Sequence, residues 1–321
     1  MILWRQILRQ NFTRWEKLAD FLELDANQRM MILAKPNFTL NLPLRLAQKI
    51  AKNTLDDPIL RQFLPTVEEE RQTSGFTKDP IGDVLSRKTP KLLHKYQGRA
   101  LLVCTGACAM HCRYCFRQHF EYDGADNAFK EELQAIADDD SIHEIILSGG
   151  DPLSLSDSVL QKLLMALSAI PHVSRIRFHT RFPIGIPERI DEGFLSLLQE
   201  TRCQIWFVIH ANHPSELDEE VLNRLRLIQR LGIVILNQAV LLRGVNDNLE
   251  TLKSLCEKLA NHGVMPYYLH QLDPVQGAAH FEVSEMEGLH LHKTLAGELS
   301  GYAVPKYVRE TAGEPGKTIL Q

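Results

Sequence analysis

The chain is 321 residues long, and its 36 basic and 40 acidic residues give a formal net charge of −4. Hydrophobic residues make up 44% and charged residues 24%, a composition that is typical of soluble globular domains and excludes disorder. The slight acidity gives no support for a nucleic-acid partner or an anionic membrane surface. No apolar run approaches the roughly 18 residues that a membrane span needs.

The N-terminus contains Arg5, Arg9 and Arg14 and no acid before Glu16, which is a weak feature of transit peptides. Apolar residues continue beyond it at helical spacing, so a first surface helix is favoured. Without an export signal we expect the protein in the cytoplasm, where thiols stay reduced. Six prolines interrupt the helical patterns that follow, which predicts an N-terminal helical accessory region over residues 1–95.

Beyond residue 95, six short apolar runs alternate with amphipathic helical patterns. This alternation predicts a parallel sheet covered on its outer face, either open and doubly wound or part of a barrel. The glycine-rich fingerprint of a dinucleotide-binding domain is not present, and polar residues and cysteines cluster after the strands, as in barrel enzymes. The predicted fold is therefore α/β, a partial (β/α)6 barrel over residues 96–300, with a C-terminal segment over residues 301–321. The predicted strands cover residues 99–105, 143–150, 174–180, 204–210, 233–241 and 266–271.

A cluster of cysteines follows the first predicted strand. Cys104, Cys108, Cys112 and Cys115 lie within twelve residues, in a chain with six cysteines in all. Such spacing also occurs in zinc sites and redox pairs, but no second paired half-site for zinc is visible. Three cysteines at x3–x2 spacing suit three irons of a cubic [4Fe–4S] cluster and leave the fourth iron open. Cys104 belongs to a competing triad with Cys108 and Cys112, although its place in an apolar strand favours a structural thiol.

The CxxxCxxC motif of Cys108, Cys112 and Cys115 resembles that of the radical S-adenosylmethionine (SAM) enzymes. The resemblance implies a partial barrel of the radical SAM type, whose open iron binds the amino and carboxylate groups of SAM. It also implies that an electron from the cluster cleaves SAM to methionine and a 5′-deoxyadenosyl radical.

The next predicted strand ends in Ser148, Gly149 and Gly150, and two glycines after a strand by themselves indicate a tight turn. The resemblance implies that this motif contacts the SAM amino group. His210 and Gln238 close the fourth and fifth predicted strands. Each is either a contact of the adenosyl part of SAM or a satisfied core polar residue.

From about residue 95 to residue 317 the sequence resembles lysine 2,3-aminomutase along nearly its whole length. Within that family it is most similar to the short form that supplies β-lysine for the modification of elongation factor P. Several separate motifs in the right order make this resemblance more specific than the cysteine motif alone. The motifs are YQGR (96–99), the cysteine loop (108–117), SGGDPL (148–153), IHANHP (209–214), LLRGVND (241–247), QLDPVQGAAHF (271–281) and AGEPGK (312–317).

The family resemblance implies a second cofactor, pyridoxal 5′-phosphate (PLP), whose aldehyde needs a lysine. The family's lysine corresponds to Lys317, which on its own is most simply a solvated tail residue. Arg99 corresponds to a contact of the PLP phosphate, which suits paired hydrogen bonds from a guanidinium. Tyr96 is expected against the PLP ring.

The resemblance also implies the substrate contacts. Arg117 corresponds to the clamp for the substrate carboxylate, and Asp273 and Glu310 correspond to the acids that receive the distal ammonium. Two acids at one end of a pocket favour a cation and repel a glutamate side chain. Glu310 departs from the family's long forms, which have aspartate there, so the pocket is slightly shorter. Asp273 precedes Pro274, and on its own this pair indicates a turn.

The predicted function is a PLP-dependent radical SAM aminomutase that converts free L-α-lysine to β-lysine, with Lys317 as its catalytic residue. A flavodoxin-like donor supplies electrons, and a separate ligase links the product to elongation factor P. Three alternatives stay open: the same chemistry on arginine or glutamate, a radical SAM enzyme of another class, and a non-catalytic iron–sulfur or zinc-binding protein. Long forms have a cysteine where this sequence has Asn248, so we expect no structural zinc.

Overall fold

A computed structural model describes residues 3–122 and 129–321. The strands of this part of the chain form one sheet and follow one another across it in sequence order. Strands β3 to β9 pair in parallel, whereas β1, β2 and β10 pair antiparallel at the two edges. The strands are β1 (Arg87–Thr89), β2 (Leu92–Tyr96), β3 (Arg99–Thr105), β4 (Glu144–Gly149), β5 (Arg175–Thr180), β6 (Gln204–Ile209), β7 (Val234–Val240), β8 (Val264–His270), β9 (Lys306–Arg309) and β10 (Thr318–Ile319).

Helices connect the parallel strands. Most of these connecting helices begin at a short polar residue, such as Ser156, Asp218 or Asn248, whose side chain accepts a hydrogen bond from a free N–H of the first turn. The α-helices are α1 (Trp4–Leu8), α2 (Trp15–Phe21), α3 (Ala26–Met30), α4 (Leu44–Ala47), α5 (Pro58–Arg61), α6 (Lys130–Ala137), α7 (Asp157–Ala169), α8 (Phe182–Gly185), α9 (Glu192–Glu200), α10 (Glu219–Gln229), α11 (Leu249–Asn261) and α12 (Glu285–Glu298). Short 3-10 helices cover Val67–Glu70, Val84–Ser86, Pro152–Ser154, Pro187–Arg189, Pro214–Glu216, Ala279–Phe281 and Gly301–Ala303.

The strand order distinguishes between the two architectures that the sequence left open. A doubly wound sheet reverses its strand order at a switch point, and the order here runs in one direction only. Right-handed crossovers that always advance in the same direction curl a sheet towards a barrel. The predicted partial (β/α)6 barrel is therefore confirmed. The six predicted strands correspond to β3–β8, and their ends agree to within two residues.

The sheet extends beyond the predicted barrel at both ends. Strands β1 and β2 lie inside the region expected to be helical, and β9 and β10 lie in the C-terminal segment. These strands are two to five residues long, and β1, β2 and β9 contain charged residues, so they lack the continuous apolar run of a strand buried on both faces. The larger hydrophobic cluster includes buried residues from Trp4 to Leu320, so all three predicted segments contribute side chains to it. The predicted first helix is divided into α1 and α2.

The N-terminal region supports the loop that carries the cysteines. The side chain of Asn41 donates to the carbonyl of Cys108 at 3.2 Å, and the Asn41 carbonyl accepts from the N–H of His111 at 2.9 Å. Further along, the Gln62 carbonyl accepts from the N–H of Arg113 at 2.9 Å. These bonds satisfy backbone groups of an irregular loop and fix its path. None of the helices in residues 3–122 and 129–321 has the length and apolar character to cross a bilayer.

The interior of the sheet predicts where stability is most sensitive. Leu147 in β4 is 0% exposed, whereas Leu85, before β1, is 91% exposed. We predict that Leu147→Ala lowers the free energy of unfolding by about 2–5 kcal/mol because it leaves a cavity, and that the control Leu85→Ala changes it by less than about 0.5 kcal/mol. Urea denaturation measures both. Equal effects of the two substitutions would contradict this description of the core.

Candidate active site

A cavity of about 720 Å³ occupies the inside of the partial barrel. It reaches from the loops after the C-terminal ends of the parallel strands to Glu144 and Arg175, at the first residues of β4 and β5. The C-terminal face is where barrel enzymes carry their active sites. The structure brings every residue that the sequence predicted for the site to the wall of this one cavity. They are Tyr96, Arg99, Cys108, Cys112, Cys115, Arg117, Ser148, Gly149, Gly150, His210, Gln238, Asp273, Glu310 and Lys317.

The three cysteines of the CxxxCxxC motif lie at one end of the cavity, in the loop after β3. Burial, together with the nearby Asp151 and the other two cysteines, raises the pKa of the Cys108 thiol well above its usual value. Burial and then Cys112 raise the pKa of Cys115 to about 11. Cys104 lies instead inside β3, 1% exposed, with its thiol 3.5 Å from the Leu102 carbonyl. Its predicted place as a buried thiol is confirmed.

The two glycines after β4 pack against the backbone that leads into the cysteine loop. Gly149 has a φ of +110°, and a Cβ atom there would lie 2.8 Å from the carbonyl oxygen of Thr105. A Cβ on Gly150 would lie 2.5 Å from the carbonyl oxygen of Ala107. The N–H of Gly150 also donates to the Thr105 carbonyl at 2.6 Å. Glycine is required here by the close approach of two loops, in addition to any approach of a ligand.

Arg117 belongs to a charged group that sequence reasoning did not find. Its Nε donates to Oδ2 of Asp83 at 2.8 Å, and one terminal nitrogen lies 3.4 Å from the Ser148 hydroxyl. The ammonium of Lys95 lies 2.8 Å from the other oxygen of Asp83. Burial opposes ionisation of Asp83, but Arg117 and Lys95 outweigh it and lower the pKa of the carboxyl. Lys95 also lies 3.8 Å from Oε1 of Glu310, so Arg117 and Lys95 form one charged network with Asp83 and Glu310.

Lys317 also lines the cavity, anchored by the pairing of β9 with β10. Its ammonium is 2.5 Å from Oε2 of Glu310, and the hydroxyl of Tyr96 donates to the other oxygen of that carboxylate. Burial opposes ionisation of Glu310, yet Lys317 and the hydrogen bond from Tyr96 lower its pKa overall. Residue 317 is thus held in the site rather than in a solvated tail, because Thr318 pairs with Arg309.

Asp273 lies next to this ion pair. Its Oδ1 atom is inaccessible to solvent and has no hydrogen-bond partner among the residues that the structure describes. Burial raises the pKa of Asp273 to about 7, Lys317 opposes the shift, and Glu310 reinforces it. The carboxyl is therefore ready to ionise when a further cation enters, since an added positive charge lowers the pKa of a buried acid.

Arginines and aromatic rings also line the cavity. The guanidinium of Arg99 stacks on the ring of Tyr96 at 4.5 Å, and Lys317 lies 5.8 Å from the ring centre of Tyr268. Arg177 pairs with Glu144 at 2.7 Å, while its buried Nε has no partner within the described part of the chain. Arg177 and Tyr268 were not predicted, because each lies in the middle of a strand where sequence alone does not distinguish the inner face.

Three histidines add uncharged polar groups to the wall. His210 contacts Gln238 at 3.0 Å between their Nε2 atoms, and burial lowers the pKa of His210 to about 3. Burial also lowers the pKa values of His179 and His270, whose Nε2 atoms find no partner in residues 3–122 and 129–321. These imidazoles are neutral at physiological pH and have free nitrogens for a polar ligand.

The chain resembles known proteins over nearly its whole length. The model of the Radical SAM superfamily matches residues 102–256. The chain is 42% identical to L-lysine 2,3-aminomutase of Haemophilus influenzae, over 98% of its own length and 95% of that protein. It is 44% identical to L-lysine 2,3-aminomutase of Escherichia coli, over 99% and 94% of the two chains. A solved radical SAM methyltransferase from Sphaerobacter thermophilus covers 69% of this chain and 71% of its own at 17% identity, with a TM-score of 0.50.

The single-direction sheet and the cysteine loop after its first parallel strand define a radical SAM protein. The solved methyltransferase supports the fold alone, whereas the two curated relatives narrow the class. The chain belongs to the lysine 2,3-aminomutase family, whose members are isomerases. The family predicted from the sequence is thereby confirmed.

Membership of this family implies a [4Fe–4S] cluster, SAM and PLP as cofactors, and the donor set of the cavity fits them. Three thiols line the cavity, as do Lys317 and Arg177, and the Nε of Arg177 has no partner among the described residues. No group of three His, Cys, Asp or Glu residues in the described ranges is arranged to hold a single metal ion. A cubic cluster binds each cysteine through a different iron, so its thiolates do not have to converge on one point.

The raised pKa of Asp273 predicts a pH-dependent stability. The folded state binds this proton more tightly than the unfolded chain, whose aspartates titrate near about 3.9, so stability falls as the pH rises from about 4 to about 7. We predict that Asp273→Asn stabilises the protein relative to wild type by on the order of 2 kcal/mol more at pH 8 than at pH 5. Urea denaturation at both pH values measures this difference. The exposed Asp140→Asn is the control, and the same pH dependence in both variants would contradict the prediction.

Proposed function

We propose that this protein converts L-α-lysine to β-lysine by moving the 2-amino group to carbon 3. The observation that carries the proposal is the charge pattern along one cavity. Arg117 lies beside the cysteine loop, whereas the acids Asp273 and Glu310 lie next to Lys317. Lys95 links the two groups, 2.8 Å from Asp83 and 3.8 Å from Glu310. A substrate with an anionic head and a cationic tail matches this pattern.

Cys108, Cys112 and Cys115 are proposed to hold the cluster, and the loop after β4 to receive SAM. Ser148, Gly149 and Gly150 adjoin the cysteine loop, and His210 and Gln238 offer neutral polar atoms to the nucleoside. When bound, the cluster and SAM supply the radical, and PLP supplies the electron-accepting ring, that migration of the amino group needs. The protein contributes positioning and a site sheltered from water.

Lys317 is proposed to bind PLP, with Tyr96 against its ring and Arg99 at its phosphate. Arg99 is already stacked on Tyr96, so its position is fixed before a ligand binds. Arg177 adds a second guanidinium on the same wall, with a nitrogen free for an anion. Guanidinium groups suit a phosphate dianion because they give paired, charge-assisted hydrogen bonds.

Arg117 is proposed to bind the carboxylate of the substrate. Its guanidinium lines the cavity and is held by Asp83, which Lys95 also contacts. Asp273 and Glu310 are proposed to bind the distal ammonium. The high pKa of Asp273 means that an arriving ammonium also ionises it, which strengthens the attraction.

This arrangement predicts a choice among amino acids. We expect the anoxically reconstituted protein, given SAM, PLP and dithionite, to isomerise lysine and to leave glutamate unchanged, because a second carboxylate would face Asp273 and Glu310. Chromatographic detection of the β-amino acid measures both reactions, and arginine tests whether a longer cation is accepted.

Matched variants extend this experiment. Glu310→Gln is expected to raise the KM for lysine about tenfold or more, since a charge-assisted hydrogen bond contributes about 1.5–3 kcal/mol. Glu314→Gln, exposed and four residues further on, should leave KM unchanged. Turnover of glutamate faster than lysine would overturn the role of the two acids.

The proposed binding of PLP by Lys317 can be tested separately from the binding of the cluster. We expect Lys317→Ala to lose the PLP adduct that borohydride traps, while it keeps the iron content of the wild type, because the lysine contacts Glu310 and Tyr268 rather than a cysteine of the described chain. Lys306→Ala, exposed on β9, is the control and should keep both. Mass spectrometry and iron analysis measure the two properties. An undiminished adduct in Lys317→Ala would show that another residue binds PLP.

The cellular setting is part of the same proposal. The relatives from H. influenzae and E. coli match this chain along 95% and 94% of their lengths, which supports the short form of the family. We propose that the protein works in the cytoplasm, where its thiols stay reduced, and receives electrons from a flavodoxin-like donor. Free β-lysine then passes to a separate ligase that modifies elongation factor P.

A further inference from the structure

Arg181, directly after β5, touches the cysteine loop and was not predicted from the sequence. One terminal nitrogen of its guanidinium donates to the sulfur of Cys112 at 2.8 Å and also to the hydroxyl of Tyr114. The other terminal nitrogen donates to Gln62 at 2.6 Å and to Glu216 at 2.8 Å. The residue is 5% exposed. Its guanidinium therefore joins a thiol of the loop to a buried carboxylate.

The orientation of this guanidinium is fixed from several sides. The backbone N–H of Arg181 donates to Asp151 at 2.8 Å, and the guanidinium carbon lies 4.8 Å from the ring centre of Phe63 and 5.6 Å from that of Tyr114. Phe63 belongs to the N-terminal region, Tyr114 to the cysteine loop and Asp151 to the loop after β4. Three parts of the fold therefore meet at the Arg181 side chain. A group held in this way keeps its hydrogen bond to sulfur with little freedom to move.

The contact is specific to one of the three cysteines. Among the hydrogen bonds of the described residues, Cys112 receives a bond from a charged side chain, whereas no side chain donates to Cys108 or Cys115. An arginine remains charged at every accessible pH. Glu216 is 0% exposed and opposes this charge at close range. The electrostatic potential at the Cys112 sulfur therefore reflects the balance of one buried cation and one buried anion.

We propose that Arg181 is a positioning residue that sets the reduction potential of the iron–sulfur cluster through its hydrogen bond to Cys112, with Glu216 as the opposing charge. The inference rests on the proposed ligation by Cys108, Cys112 and Cys115. One electron from a low-potential donor adds one negative charge to the cluster and its thiolates. Arg181 stabilises that charge and Glu216 destabilises it, as hydrogen bonds and charges near ligating sulfurs do in general.

Two neutralising variants test the proposal with opposite signs. In anoxically reconstituted full-length protein, Arg181→Gln should lower the midpoint potential and Glu216→Gln should raise it. We expect each to change the one-electron reduction equilibrium about tenfold, which corresponds to about 59 mV. The readout is a mediated dithionite titration followed by electron paramagnetic resonance, which needs neither turnover nor PLP. Arg189→Lys is the control, since Arg189 is fully buried, pairs with Asp157 and lies outside the cavity.

A merely structural role would shift both potentials in the same direction or leave them unchanged, and either result overturns the proposal. If Arg181→Gln retains no iron, the sign of the shift in Glu216→Gln decides. A wild-type protein that takes up no cluster overturns the proposed function and this inference together. A wild-type cluster with unshifted variants overturns only the inference.

Discussion

The parallel, single-direction order of β3–β8 is the constraint on which the rest of the structure depends. Because all six strands end at the same face, the cysteine loop, the glycine pair, His210 and Gln238 meet there although they are far apart in sequence. The curl of the sheet also encloses the cavity, which the inward-facing side chains line. A sheet wound in both directions would spread these residues along a crevice instead.

Buried charges give this cavity its polarity. Lys317 with Glu310, Arg117 with Asp83, and Arg181 with Glu216 are partly or fully removed from water. Buried ion pairs add little net stability, because desolvation offsets their attraction, but losing one partner is costly and the geometry is therefore closely defined. The pairs thus hold these groups in place around the cavity. In the proposals above, the acids Asp273 and Glu310 determine the choice of substrate, and buried Arg181 sets the reduction potential of the cluster.

The sequence predicted those elements of the fold that a pattern of neighbouring residues determines. Strands β3–β8 are continuous apolar runs, so their limits could be read directly. Strands β1, β2, β9 and β10 were missed because strands of two to five residues have no such pattern. The predicted site residues were found from family motifs. The contacts between them and their partners were not predicted, because Asp83–Arg117, Cys112–Arg181 and Tyr96–Glu310 are separated by 34, 69 and 214 residues and no pattern in the sequence connects them.

The central claim is that three cysteines of one loop ligate a cluster whose fourth iron is open to SAM. Mössbauer spectroscopy of protein reconstituted with ⁵⁷Fe tests this most directly. The account predicts four irons per chain, one of which changes its isomer shift when SAM is added, and no such signal when Cys108, Cys112 and Cys115 are all replaced by alanine. Four irons that are all insensitive to SAM, or an unchanged spectrum in the triple variant, would contradict it.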